Sequence, residues 1–140
     1  MLFRSVNDTY GHDAGDRVLQ ALAQHLVLNS RASTLVCRYG GEEIVIILTE
    51  AAAEGAAQRA EQWRSGIAQL RIAAGDHSLL VTISAGVASY PLIGGTMADV
   101  MRAADAALYQ AKSDGRNCGR RAPRAAPPVA ADPAAGVTAG

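Results

Sequence analysis

Two glycines and two glutamates, Gly40-Gly41-Glu42-Glu43, stand between Leu35-Val36-Cys37-Arg38-Tyr39 and Ile44-Val45-Ile46-Ile47-Leu48. Apolar, β-branched runs of this length on either side of a Gly-rich turn predict an antiparallel hairpin. The turn is also suited to chemistry. Glycine lets backbone approach a ligand closely, and adjacent carboxylates supply the oxygen donors that hard cations such as Mg²⁺ require. Taken alone, the same four residues describe an exposed turn with two solvated glutamates.

The rest of the chain supplies elements to pack on that hairpin. Val18, Leu19, Leu22 and Leu26 fall at helical spacing and predict a helix from about Ala14 to Asn29, with Asp13 or Asp16 placed to cap its start. Upstream, the residues to Asp13 are polar and Gly-containing and read as a turn. Ala56, Ala60, Trp63, Ile67 and Leu70 predict a second helix between Ala51 and Leu70. Leu79 to Tyr90 reads as a buried strand with a bend or bulge near Gly86. Met97, Met101, Ala104, Leu108 and Ala111 predict a third helix, with Gly115 as its stop. From about Arg120 the sequence is Ala, Pro and Gly with few large apolar side chains, so residues 120–140 are expected to form a disordered tail behind a domain at 1–119.

The order helix, strand, strand, helix, strand, helix is that of a split βαβ unit lacking its first strand. The expected class is α+β: a ferredoxin-like, palm-type antiparallel sheet with helices packed on it, its first strand largely missing. Aromatic residues make up only 4% of the chain, so its core must come mainly from Val, Ile, Leu and Ala. Thirteen basic residues cancel thirteen acidic ones, and without a run of Lys or Arg there is no electrostatic footprint for a nucleic acid polymer. No apolar stretch approaches the roughly 20 residues that cross a bilayer, so no membrane contact is expected within this chain. Cys37 and Cys118 lack metal-ligand spacing and are too few for a disulfide framework, which favours a reducing, cytoplasmic setting; a longer parent could still be membrane-anchored.

Three separated blocks narrow the reading. They are residues 3–16, Phe-Arg-Ser-Val-Asn-Asp-Thr-Tyr-Gly-His-Asp-Ala-Gly-Asp; residues 38–44, Arg-Tyr-Gly-Gly-Glu-Glu-Ile; and residues 104–117, Ala-Asp-Ala-Ala-Leu-Tyr-Gln-Ala-Lys-Ser-Asp-Gly-Arg-Asn. In order and spacing they resemble the signature blocks of GGDEF diguanylate cyclases, from Phe3 to about Asn117. The resemblance implies a homodimeric enzyme that joins two GTP into cyclic di-GMP with release of pyrophosphate, using Mg²⁺ or Mn²⁺. It places Asn7, His12 and Asp16 around guanine and ribose, and an amide and a carboxylate are suited to guanine's donors and acceptors. It gives Glu42 the metal-binding and catalytic position with Glu43 in support, and sets Gly40 and Gly41 against the substrate. Lys112 and Arg116 are four residues apart at the end of the third helix, so both can project to one side and meet phosphate oxygens, and the resemblance gives this pair the GTP phosphates. As an isolated pair they also fit ordinary cations near a helix C-terminus.

Some family features are altered. An Asp-x-Asp-x-Phe-Lys pattern ordinarily precedes the Asn-Asp pair; here Met1 falls where the second Asp would stand, so the leading metal-binding Asp is expected upstream of the chain. A fragmentary or mis-started reading frame is the simplest source, and the chain is expected to be inactive alone, less stable than a full domain and prone to aggregate. Arg4 replaces the usual Lys and Ile44 the usual Phe, both in kind. Arg31-Ala32-Ser33-Thr34 stands where many members carry an Arg-x-x-Asp inhibitory site; with Thr34 for the Asp, product inhibition is expected to be weak or absent. The alternative function is a non-catalytic GTP- or nucleotide-binding regulatory module. A third reading, an interaction domain using the acidic turn, predicts no nucleotide binding.

Overall fold

The computed structural model describes residues 3–93 and 95–124. The chain begins with α1 (Phe3–Tyr10), α2 (His12–Leu28) and the strands β1 (Thr34–Gly40) and β2 (Glu43–Leu48). It continues through α3 (Ala53–Gln69), β3 (Ile72–Ala74), β4 (His77–Leu79), β5 (Ala85–Val87), α4 (Met97–Ser113) and β6 (Gly119–Arg121). The expected tail beyond residue 124 lies outside the described residues. No described helix is long and apolar enough to cross a membrane.

The opening segment is not a turn. Residues 3–10 form a helix whose Val6 is fully buried, and Gly11, at φ +87°, separates it from α2. That left-handed angle is open to glycine and strained for other residues, so the Gly-His pair marks a helix–helix junction. Neither Asp13 nor Asp16 caps α2: Gly11 occupies the cap position and no side chain accepts there. Asp13 instead lies in the first helical turn, where a carboxylate favours the helix dipole.

One core cluster joins these elements. Val6 and Val18, Leu22 and Leu26 meet Trp63 and Ile67 of α3 and Ile72, Leu79 and Val81 beyond it. The expected periodicity is realised in α3, where Ala56, Ala60, Trp63 and Ile67 are buried. Trp63 is almost fully buried and satisfies its indole by donating to the Asn29 carbonyl at 3.3 Å. The hairpin covers this cluster with Val36, Ile44, Ile46 and Leu48, each partly buried.

The sheet is divided into pairs: β1–β2 and β3–β4 are antiparallel, and β5–β6 is parallel. The strand expected from Leu79 to Tyr90 is correspondingly interrupted. Leu79 and Val81 are buried and Leu80 and Thr82 exposed, so the period-two pattern continues beyond β4. Residues 80–84 nevertheless have no ladder, since no neighbouring strand pairs with them among the described residues. The predicted bulge at Gly86 is also absent: Gly86 is the middle of β5, in register with Arg120. It is small because α4 crosses directly over it. A Cβ at this position would lie 2.5 Å from the Leu108 nitrogen and closer still to the Ala104 carbonyl oxygen. The last strand runs through Arg121, past the boundary expected at Arg120; its bonds to β5 are made by backbone and need no apolar side chains.

Candidate nucleotide site

The first block is split across the α1–α2 junction. Asn7 lies on α1, half-buried, and its Oδ1 is fully buried with no hydrogen-bond partner among the described residues. Burying an acceptor unpaired costs about 1–3 kcal/mol. His12 and Asp16 are one turn apart on α2 and exposed, whereas Ala14, Gly15, Val18 and Leu19 between and beyond them face the interior. The amphipathic pattern that buries α2 thus leaves His12 and Asp16 on its polar side.

The acidic turn is held by its own strand. Gly41 sits at φ +47°, the register shifts between Arg38 and Gly40, and Arg38 donates through Nε at 3.1 Å and Nη2 at 2.8 Å to the Gly41 carbonyl. Both N–H groups of one guanidinium face converge on one oxygen, which fixes the turn just ahead of Glu42. Glu42 and Glu43 are exposed at its tip. Arg38 was not singled out from the sequence as a site residue; its signal was an arginine three residues before the second glycine of a hairpin turn.

The segments that carry these two groups, the α1–α2 junction and the hairpin, pack on one cluster. Val6, adjacent to Asn7, is a member of it, and Ile44, adjacent to Glu43, packs against it. Lys112 and Arg116 belong to another layer. Helix α4 packs on β5 and β6, and α3 contacts both those strands and α2. Neither described surface concavity unites the groups: one is lined by residues that include Val87, Leu92 and Arg121, the other by Arg17, His25, Leu70 and Arg71 among others.

The sequence matches the family described as "Diguanylate cyclase, GGDEF domain" over residues 2–118. The chain belongs to the GGDEF domain family. It is 44% identical over 117 residues to the response regulator PleD of Caulobacter vibrioides, an alignment covering 82% of this chain and 26% of PleD. Among solved structures, it resembles the diguanylate cyclase SiaD of Pseudomonas aeruginosa, solved with its activator SiaC, at a TM-score of 0.81 and 38% identity. That match covers 86% of this chain and 46% of SiaD. The active GGEEF domain of a diguanylate cyclase from Vibrio cholerae gives a TM-score of 0.78 at 34% identity, covering 87% of this chain and 77% of that one. The chain therefore spans about a quarter of the length of PleD and under half of the SiaD chain.

One expectation for this GGDEF domain is corrected by its third block. Arg116 is not on the α4 face that carries Lys112: α4 ends at Ser113, Gly115 adopts φ +107° and Arg116 itself φ +62°. The Arg116 N–H returns to the Ala111 carbonyl at 3.1 Å, closing a Schellman cap with Gly115 in the left-handed position. Lys112 is half-buried in the last helical turn and Arg116 is exposed in the loop beyond it. The cap, rather than an i,i+4 relation, sets their spacing. At the degenerate inhibitory motif, Arg31 is exposed and Thr34 opens β1, its N–H donating to the Arg31 carbonyl at 2.9 Å.

Four carboxylates elsewhere, on Glu54, Glu61, Asp99 and Asp114, are tied to cations or hydroxyls. The Asp114 carboxyl is held below its ordinary pKa by the Arg120 guanidinium and then by Gln110, and Asp99 by the Thr96 hydroxyl. Glu42 and Glu43 make no such bond among the described residues, leaving their oxygens open to a ligand. No three His, Cys, Asp or Glu side chains converge as a metal site among those residues. Glu42 nonetheless suits Mg²⁺, which commonly takes one or two protein carboxylates and completes its shell with water and substrate phosphates. The donor set fits a cation arriving with a triphosphate rather than a pre-formed protein cage.

Proposed function

We propose that this GGDEF domain binds GTP and, with a second GGDEF domain about a two-fold axis, joins two GTP into cyclic di-GMP and pyrophosphate. The observation that carries the reading is the buried, unpartnered Oδ1 of Asn7, an acceptor suited to a guanine N–H. Asp16 accepts from the base, and His12 borders the ribose. Gly40 and Gly41 admit the triphosphate to the hairpin, and Lys112 and Arg116 bind its oxygens. In each half-reaction a 3′-hydroxyl oxygen bonds to the other nucleotide's α-phosphorus, the bond from that phosphorus to the α–β bridging oxygen breaks to release pyrophosphate, and the hydroxyl proton passes to water. Glu42, with Glu43 beside it, would hold Mg²⁺ or Mn²⁺, which would supply charge neutralisation and ease ionisation of that hydroxyl. Positioning and electrostatic stabilisation are what such a transfer chiefly needs from protein.

Among the described residues no further His, Cys, Asp or Glu side chains converge with the acidic turn as a metal site, so we assign the 140-residue chain alone the nucleotide-binding role and low cyclase activity. The test incubates the purified chain with GTP and Mg²⁺, measuring binding by calorimetry and cyclic di-GMP by chromatography. Binding weakened about tenfold or more by Asn7→Ala is expected, since the change removes a buried acceptor. Turnover matching an intact diguanylate cyclase domain would overturn the low-activity assignment. Absence of GTP binding would overturn the function itself.

A further inference from the structure

The Schellman cap leaves a question about the residues after it. Gly115, Arg116 and Asn117 all have positive φ, at +107°, +62° and +48°. Glycine adopts such angles readily and asparagine tolerates them, but for arginine the region is sparsely populated. A residue of that kind persists where its surroundings over-determine it. The cap fixes the Arg116 N–H, and Ala85 N–H donates to the Cys118 carbonyl at 3.0 Å. Between those anchors lies Asn117.

Arg64 of α3 reaches this loop across 53 residues of sequence. Its Nη1 donates to the Asn117 Oδ1 at 2.7 Å, while Nε at 2.8 Å and Nη2 at 2.5 Å donate to the two oxygens of Glu61. A bidentate carboxylate fixes the plane of a guanidinium, so the remaining N–H is aimed rather than free. The Arg64 side chain is 19% exposed, against 58% for Glu61. The interaction lowers the Glu61 carboxyl below its ordinary pKa and raises that of Arg64, through their hydrogen bonds first. Ion pairs this close to solvent contribute little to stability, which leaves the geometry they impose.

We propose that Arg64, oriented by Glu61, is a positioning residue for phosphate recognition: by holding the Asn117 side chain it sets the left-handed loop from which Arg116 enters the site. The inference rests on the GTP-binding reading above. Arg64 touches no substrate in it; its effect passes through Asn117 and Arg116. It also links the two layers of the fold, because α3 contributes Trp63 and Ile67 to the core shared with Val6 and the hairpin.

The experiment measures Mg²⁺-GTP affinity of the 140-residue chain by calorimetry, with thermal unfolding of every variant alongside. Arg64→Ala is expected to weaken binding about tenfold, the scale of one charge-assisted hydrogen bond. Asn117→Gly, which keeps the left-handed angle but deletes the acceptor, should lose as much, while Asn117→Asp, which keeps the acceptor, should bind like the parent. In an Arg116→Ala background, Arg64→Ala should have no further effect, an epistasis that a general loss of packing does not produce. Equal affinity in the parent and Asn117→Gly, or additive losses for Arg64→Ala and Arg116→Ala, would overturn the inference while leaving GTP binding intact. A parent chain that binds no GTP would bring down the functional reading first and this inference with it.

Discussion

Gly86→Ala adds one methyl group where a strand and a helix touch backbone to backbone. The new Cβ would lie 2.5 Å from the Leu108 nitrogen, 3.0 Å from its Cα, and nearer still to the Ala104 carbonyl oxygen. None of these atoms can move by changing a rotamer, so α4 must be displaced from β5 by something on the order of 1 Å, or β5 must buckle away from β6. Overpacking of a close-packed contact ordinarily costs about 1–3 kcal/mol, and unyielding backbone places this case near 3 kcal/mol. For a domain of this size that lowers Tm by roughly 10 °C. Thermal and urea unfolding followed by circular dichroism measure it, with Gly55→Ala as the control. Gly55 lies within α3 with nothing within 4 Å of its missing Cβ, so alanine there should stabilise by about 0.5–1 kcal/mol. A Gly86→Ala chain that melts with the parent would refute the close approach of α4 to β5, and with it the placement of the Lys112 and Arg116 layer.

Trp63→Ala should destabilise by about 3–5 kcal/mol, since it empties the centre of the shared core and leaves the Asn29 carbonyl without its indole donor; urea unfolding with an unchanged midpoint would contradict that burial. Thr96 accepts from the Asp99 N–H at 3.1 Å and donates to its carboxylate at 2.8 Å, so Thr96→Ala should cost about 1 kcal/mol through loss of the α4 cap. Glu61, Asp99 and Asp114 have carboxyls held below their ordinary pKa values by Arg64, Thr96 and Arg120. A folded pKa below the unfolded one, about 3.9 for Asp and 4.3 for Glu, means their contribution is present above that range and lost as pH falls through the folded values. A Tm profile flat above about pH 5 and declining below about pH 4 is expected, with a shallower decline in Thr96→Ala; a Tm that rises on acidification would reverse the assigned sign. Leu35 is exposed on the hairpin face opposite the core, directly across from Ile47, so Leu35→Lys should reduce concentration-dependent association in light scattering, and no change would exonerate that face.

Elements whose signal is local were legible from sequence. The four-three spacing of Ala56, Ala60, Trp63 and Ile67 marks the buried face of α3, and Gly40-Gly41 between two apolar runs marks the hairpin. What could not be read depends on distant neighbours. Leu79 to Ile83 keeps a strand's alternation, yet whether it forms a ladder is decided by backbone elsewhere in the fold. Gly86 reads as a bulge when only its own strand is considered; its real constraint is α4, which begins eleven residues later and returns across it. α1 was hidden because Ser5, Asn7, Asp8 and Thr9 favour turns locally, while the decisive residue, Val6, is a single apolar side chain whose burial is tertiary.

The site divides along the same line. Glu42 and Glu43 were placed by a local turn and occur where the sequence put them. Arg116 was assigned by counting residues along an assumed helix, and that count fails because Gly115 turns the chain left-handed one residue earlier. Periodicity cannot register such a turn as a change in where a charge points, although Gly115 is visible as a stop. The partner that restrains the loop is more distant still: nothing near Arg64 in sequence distinguishes its pairing with Glu61 from any other i,i+3 pair on a helix surface. Only the fold adds Asn117 as the third point and turns an unremarkable surface pair into a link between the core beneath the acidic hairpin and the loop carrying Arg116. If phosphate recognition depends on that loop, the residues that tune nucleotide affinity extend beyond the signature blocks into α3.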